Sequence, residues 1–144
     1  MTAVIESIEI SRPPEEVFAY IDDFERHGEW QDNVQSARAE TDGPTRVGTR
    51  IVETRRVPGG PREFTYEITE HDPPRLAAFR VLNGPVRPVG RLKVEPSGAG
   101  ATYTVELALE GHGFGKLIAP LARRDARKQL PLDLARLKQK LEGM

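Results

Sequence analysis

The 144-residue chain contains no cysteine. That excludes disulfide cross-links, thiolate nucleophiles and cysteine metal ligands, and it suits a reducing compartment. Histidine is confined to His27, His71 and His112. No two of these stand at a metal-ligand spacing, so neither a metal nor a cofactor is expected. Aromatic residues make up 6%, with Trp30 the single tryptophan. The longest apolar run, residues 117–122, is interrupted by Pro120 and is far too short to span a bilayer. The first residues, MTAVIESIEISRPP, enter a strand pattern without a basic region followed by an apolar one. A cytoplasmic protein, not integral to the membrane, is therefore expected.

Net charge is nearly absent too, at −1, but it is unevenly placed. Between Lys116 and Glu142 stand eight basic residues against three acidic ones, a local excess of five that leaves about −6 for the remainder. Asp125 and Asp133 interrupt this basic stripe and no aromatic residue is interleaved with it, so nucleic acid is not an expected partner. The stripe suits either a solvated outer helix face or an anionic surface.

What the chain does have is periodicity. Residues 4–10 alternate, with Val4, Ile8 and Ile10 on one side. Pro13 and Pro14 end that strand, and with Glu15 and Glu16 they start a helix carrying Val17, Phe18 and Ile21. Asp22 and Glu25 form a capping-box-like pair for a second short helix ending near Trp30. From there the period is two, and strands are predicted at 34–40, 48–57, 62–71, 76–82, 89–94 and 101–110. They are separated by Gly- and Pro-rich turns, including Pro58-Gly59-Gly60-Pro61 and Pro96-Ser97-Gly98-Ala99-Gly100. Short connections imply sequential antiparallel neighbours. Residues 111–144 then carry apolar side chains every three or four positions: Phe114, Ile118, Ala122, Ala126, Leu130, Leu134, Leu137 and Leu141, flanked by Leu117 and Leu121. Pro131 falls inside this helix and predicts a kink.

The reading is an α+β fold in one domain, 1–144: a seven-stranded antiparallel sheet curled around a long C-terminal helix, with two short helices between the first two strands. Inward-facing candidates are Phe64, Tyr66 and Ile68, then Phe79 and Val81, Leu92 and Val94, and finally Tyr103, Val105, Leu107 and Leu109.

Catalytic signatures are weak. The segment Glu110-Gly111-His112-Gly113-Phe114-Gly115-Lys116 lacks the first glycine and the hydroxyl of a phosphate loop, and reads as a hinge between strand and helix. Glu53 and Arg55 lie in line with Ile51. If Ile51 points inward they do too, and with Tyr66 and Tyr103 they could orient a carbonyl or serve as acid and base. If Arg50, Val52 and Thr54 face inward instead, Glu53 and Arg55 sit in water. His27 falls on what reads as an exposed helix, and His71 at a strand end beside Asp72.

The element order, with IEISRPPEEVFAYIDDFERHGEWQDNV, GPTRVGTR, YEITEHDPPRLAAFR and LARLKQKLE, resembles the START-like (Bet v1-like, SRPBCC) superfamily, and within it the bacterial polyketide cyclase/dehydrase-like group. The resemblance spans the chain and implies a helix-grip fold with a cavity between sheet and long helix. It implies binding of a small hydrophobic molecule such as a lipid or polyketide-like compound, and it allows a homodimer. It places Trp30 at the cavity mouth, and the lining would come from Ile51, Phe64, Tyr66, Phe79, Leu92, Tyr103 and Leu107 on the sheet. Phe114, Ile118 and Leu121 would close it from the helix. The alternatives are a polyketide aromatase/cyclase or dehydratase, and an interaction module using the basic helix.

Overall fold

Alternation decides the strands, and turn chemistry decides their order. The computed structural model describes residues 3–57 and 59–144, so Pro58 of the predicted turn lies outside the described residues. The elements are β1 (Val4–Ile10), α1 (Pro14–Asp22), a 3-10 helix (Phe24–Glu29), β2 (Val34–Ala39), β3 (Arg50–Val57) and β4 (Gly60–Asp72). They continue with β5 (Leu76–Val81), β6 (Val86–Ser97), β7 (Gly100–Gly111) and α2 (Gly115–Glu142). The sheet runs β1-β7-β6-β5-β4-β3-β2, all antiparallel: a meander from β2 to β7, with β1 added beside β7. This is the helix-grip arrangement.

Register fixes which side chains share the inner face. Ile51 faces Tyr66, which faces Val81; Ile68 faces Phe79, and Phe79 faces Gly90. Gly90 faces Leu107, and Leu92 faces Val105. At Gly90 a side chain would collide with the Phe79 ring, so the glycine is what lets that ring lie across β6. α2 packs over β1, β7 and β6, burying Leu134, Leu137 and Leu141 against Ile10, Tyr103 and Val105. α1 adds Val17, Phe18, Tyr20 and Ile21 to the same core.

Two local expectations are corrected. β6 is about twice its predicted length because Pro88 and Pro96 do not end it. Both lie beyond the stretch paired to the short β5, where a missing N–H interrupts no ladder on that side. Asp22 does not cap the second short helix, which is 3-10 with no side-chain cap; its carboxylate accepts from His71 Nε2 at 3.0 Å. His71 thus pairs with Asp22, while Asp72 pairs with Arg75.

Gly111 and Gly115 have a packing reason, while Gly113 takes a positive φ in open space. A side chain at Gly111 would run into the Gly115 backbone, and one at Gly115 into the Pro85 carbonyl. His112 N–H donates to that same carbonyl at 2.8 Å, so the segment is seated on the β5–β6 turn. α2 then runs as one element through Pro120 and Pro131. Both prolines are exposed, where water can satisfy the carbonyls they leave unbonded.

Candidate functional site

β3 carries the polar cluster. Ile51 is 1% exposed and Glu53 3%, so Glu53 faces inward with Ile51. Val52 on the opposite side is buried as well, which is why alternation alone left the orientation open. Glu53 accepts from Arg55 Nε at 2.7 Å, and Arg55 Nη2 donates to Gln31 Oε1 at 2.7 Å. His27 reaches the other Glu53 oxygen through Nδ1 at 3.3 Å, while its Nε2 donates to the Ile21 carbonyl at 2.8 Å. Both ring nitrogens face acceptors, so His27 donates at both only when the ring carries two protons.

Burial alone would push the Glu53 carboxyl up. The Arg55 charge beside it, with the hydrogen bonds from His27 and Arg55, outweighs that and holds it at about 2. Tyr66, opposite Ile51, has its phenol driven well upward by burial and by the Glu53 charge, so it stays protonated. Both its hydroxyl and Trp30 Nε1 are buried, and among the described residues neither has a hydrogen-bond partner. Buried polar groups seldom go unpaired, which makes the Tyr66 hydroxyl notable beside the ionised Glu53. Trp30 sits edge-on to His27 with ring centroids 5.7 Å apart. On α2, burial raises the Asp133 carboxyl, although Gln129 and the Arg55 charge pull the other way.

The structure therefore brings Glu53, Arg55 and Tyr66 together with Ile51, while Trp30 packs in the α2-side core and meets the cluster only through the His27 ring. It adds His27, Gln31 and Asp133, which the sequence reading did not place here. Tyr103 is separate: it lies in the α2-side core, with β5 and β6 between it and β4. Glu25 and Glu29 around His27 gave the 3-10 helix an exposed look, whereas the His27 ring turns inward to Glu53.

Apolar side chains surround this cluster incompletely. Buried apolar residues fall into two groups, one under α2 and one of Ile51, Tyr66 and Ile68 with Phe24, Ala37, Phe79 and Val81 packed on it. Phe64, Phe79, Val81, Leu92, Leu107 and Leu130 stay only half-buried. The helix residues expected to close the space do not. Phe114 is 84% exposed, Leu121 62% and Ile118 41%, all turned away from the sheet, and the inward side of that stretch is Ala119 with half-buried Ala122 and Ala126. Small residues leave the first half of α2 thin on its inner side. A separate cleft of about 530 Å³, lined by Arg12, Glu16, Tyr20, Arg26, Leu141 and Met144 among others, lies on the outside, between α1 and the end of α2.

Residues 1–142 match the sequence profile of the family described as "Polyketide cyclase / dehydrase and lipid transport". The chain belongs to that family. Among solved structures of the same fold, TTHA0849 from Thermus thermophilus superposes with a TM-score of 0.81 at 22% identity, over 99% of this chain and 98% of that one. A START superfamily protein from Mycobacterium smegmatis gives 0.80 at 15% identity, over 98% and 97%. The di-domain ARO/CYC BexL from the BE-7585A biosynthetic pathway gives 0.80 at 22% identity, over 99% of this chain and 47% of that one. No curated protein sequence matches significantly. Among the described residues of this family member, no helix is long and apolar enough to cross a membrane, and no group of three or more potential ligands gathers to hold a metal.

Proposed function

We propose that the chain, as a single domain of residues 1–144, binds a small hydrophobic molecule, a lipid or polyketide-like compound. The site is the half-buried apolar surface between β3–β6 and the first half of α2. The observation that carries this reading is the juxtaposition of that surface with a polar end built from Glu53, Arg55, Gln31 and His27. The apolar part would supply affinity, and the polar end would orient an oxygen substituent, with the unpartnered Tyr66 hydroxyl and Trp30 Nε1 as the nearest spare donors. Covering about 300 Å² of apolar ligand at about 25 cal/mol per Å² gives about 7.5 kcal/mol, which after association costs corresponds to micromolar binding or weaker. A cytoplasmic setting fits a cysteine-free chain, and the bacterial sources of the similar structures fit a bacterial one.

A second reading, an aromatase/cyclase or dehydratase, is favoured by the inward convergence of Glu53, Arg55 and Tyr66. Charge argues against proton transfer by these groups. A carboxylate held at about 2 is a poor general base near neutral pH, and a phenol raised by burial does not ionise. What they can do is orient and polarise, which is the work of a binding site.

The test is mass spectrometry of what the purified protein carries, followed by titration of fatty acids, sterols and aromatic polyketides with intrinsic Trp30 fluorescence as the signal. A bound apolar compound is expected. Phe79→Asp, which places a charge on the apolar face, is expected to weaken binding at least about tenfold, since burying an unpaired charge costs several kcal/mol. No co-purifying compound and no response to any member of the panel would remove the proposal.

A further inference from the structure

The first two turns of α2 carry an apolar stripe on the wrong side for the core. Phe114, Leu117, Ile118 and Leu121 are 84, 82, 41 and 62% exposed, at spacings that line one helix face, and that face points away from the sheet. Scattered exposed apolar residues are ordinary; four contiguous ones on the outer side of a helix are not. At 3.6 residues per turn exposed Arg124 and Lys128 lie beside the stripe and exposed Lys116 and Arg127 lie further round the helix, and none of these four forms an ion pair among the described residues. Asp125, one turn after Leu121, continues the stripe's own face and is the one acid there, and from Gly111 to Arg124 the sequence has none. Arg123 is tethered, donating to the Leu109 carbonyl at 3.2 Å. The other end of α2 is occupied by protein: Arg12 donates to the carbonyls of Leu141 and Met144, Ser11 N–H to Glu142, and Lys138 to the Glu9 carbonyl.

From this arrangement we infer that the N-terminal half of α2 docks on the surface of an anionic phospholipid bilayer. Phe114, Leu117 and Leu121 enter the headgroup boundary and the surrounding cations face lipid phosphates. An apolar helix face bordered by Arg124 and Lys128 and, among the described residues, left exposed is the pattern of an interfacial helix. Charge decides against a second copy of the chain, because joining two such faces would crowd like charges around the seam. The inference goes beyond ligand binding and holds whether or not the site beneath the helix is filled.

The experiment is co-sedimentation of the full chain with phosphatidylcholine vesicles, with and without phosphatidylglycerol. Binding is expected only with the anionic lipid, and it should weaken as salt is added. The double variant L117S/L121S is expected to lower vesicle partitioning by about tenfold or more, from lost apolar insertion. The triple variant R124E/R127E/K128E is expected to do the same through charge. All these side chains are exposed, so circular dichroism and melting should match the parent, and ligand titration should be unchanged in both variants. Absence of binding to anionic vesicles, equal binding to neutral ones, or binding indifferent to L117S/L121S would overturn the inference. So would a concentration-dependent dimer that L117S/L121S dissolves, since the stripe would then be covered by a second copy.

Discussion

A protein carrying Leu137→Ala is expected to lose about 3 kcal/mol of stability, a drop of roughly 10 °C in melting temperature, while Leu117→Ala changes it by less than about 0.5 kcal/mol. Both residues are leucines on α2, so helix propensity treats them alike. Burial separates them: Leu137 is 0% exposed and sits in the core with Leu134, Leu141 and Tyr103, whereas Leu117 is 82% exposed. Truncation at 137 removes apolar area and leaves a void bounded by the β1 and β7 side chains. Truncation at 117 exposes nothing new. Paired urea or thermal melts measure the contrast, and equal losses at the two sites would mean that the helix is rotated from the orientation described above.

Glu53 gives the other large effect. Glu53→Ala is expected to cost about 2–3 kcal/mol, because Arg55 and His27 lose a common acceptor in a largely buried place. The figure is taken toward the low side because the Arg55 side chain is 34% exposed and can rehydrate. The same carboxylate predicts a pH signature. Its folded value of about 2 lies below the ordinary 4.5, so its contribution is present in full above pH about 4.5 and is lost as pH falls toward 2. Integrated over that window the effect is on the order of 3 kcal/mol. Asp133 works with the opposite sign: burial raises its value, so its contribution is greatest when it is protonated at low pH and falls as pH rises through the raised value. Other carboxylates also titrate in this range, so the informative quantity is the difference between parent and Glu53→Gln. That difference is expected to shrink steadily below pH about 4.5. A difference independent of pH would show that Glu53 is not held ionised by Arg55 and His27.

The sheet was legible because period two is unambiguous where one side is apolar. Tyr103, Val105 and Leu109 identify the inner face of β7, and the turn residues set the meander. β3 was not legible in the same way, since Ile51 and Val52 are both buried and either phase of the alternation looks correct. Only pairing with β4, which sets Ile51 opposite Tyr66, resolves it. The helix failed for a related reason. Leu134 follows Phe114 by 20 positions. At 3.6 residues per turn that leaves them on nearly opposite sides of the cylinder, although each belongs to a stripe of helical spacing. Periodicity reveals that a stripe exists, not which stripe meets the sheet. His27 reads as exposed in sequence because its partner, Glu53, lies on another element, and sequence spacing carries no signal for a contact that only the tertiary fold creates.

β1 beside β7 has a bearing on how the molecule is assembled. Every other strand pairing joins chain neighbours, but Val4 meets Leu107 and Ser7 bonds to Thr104 across 97 residues. Closing so wide a ring carries an entropic cost that the hairpins do not face, so the meander is expected to zip first and the N-terminal strand to dock late, together with α2. On a ribosome β1, made before the strand it joins, would be among the last elements to find its place. Pulsed hydrogen exchange should show amides of β6 and β7 protected before those of β1.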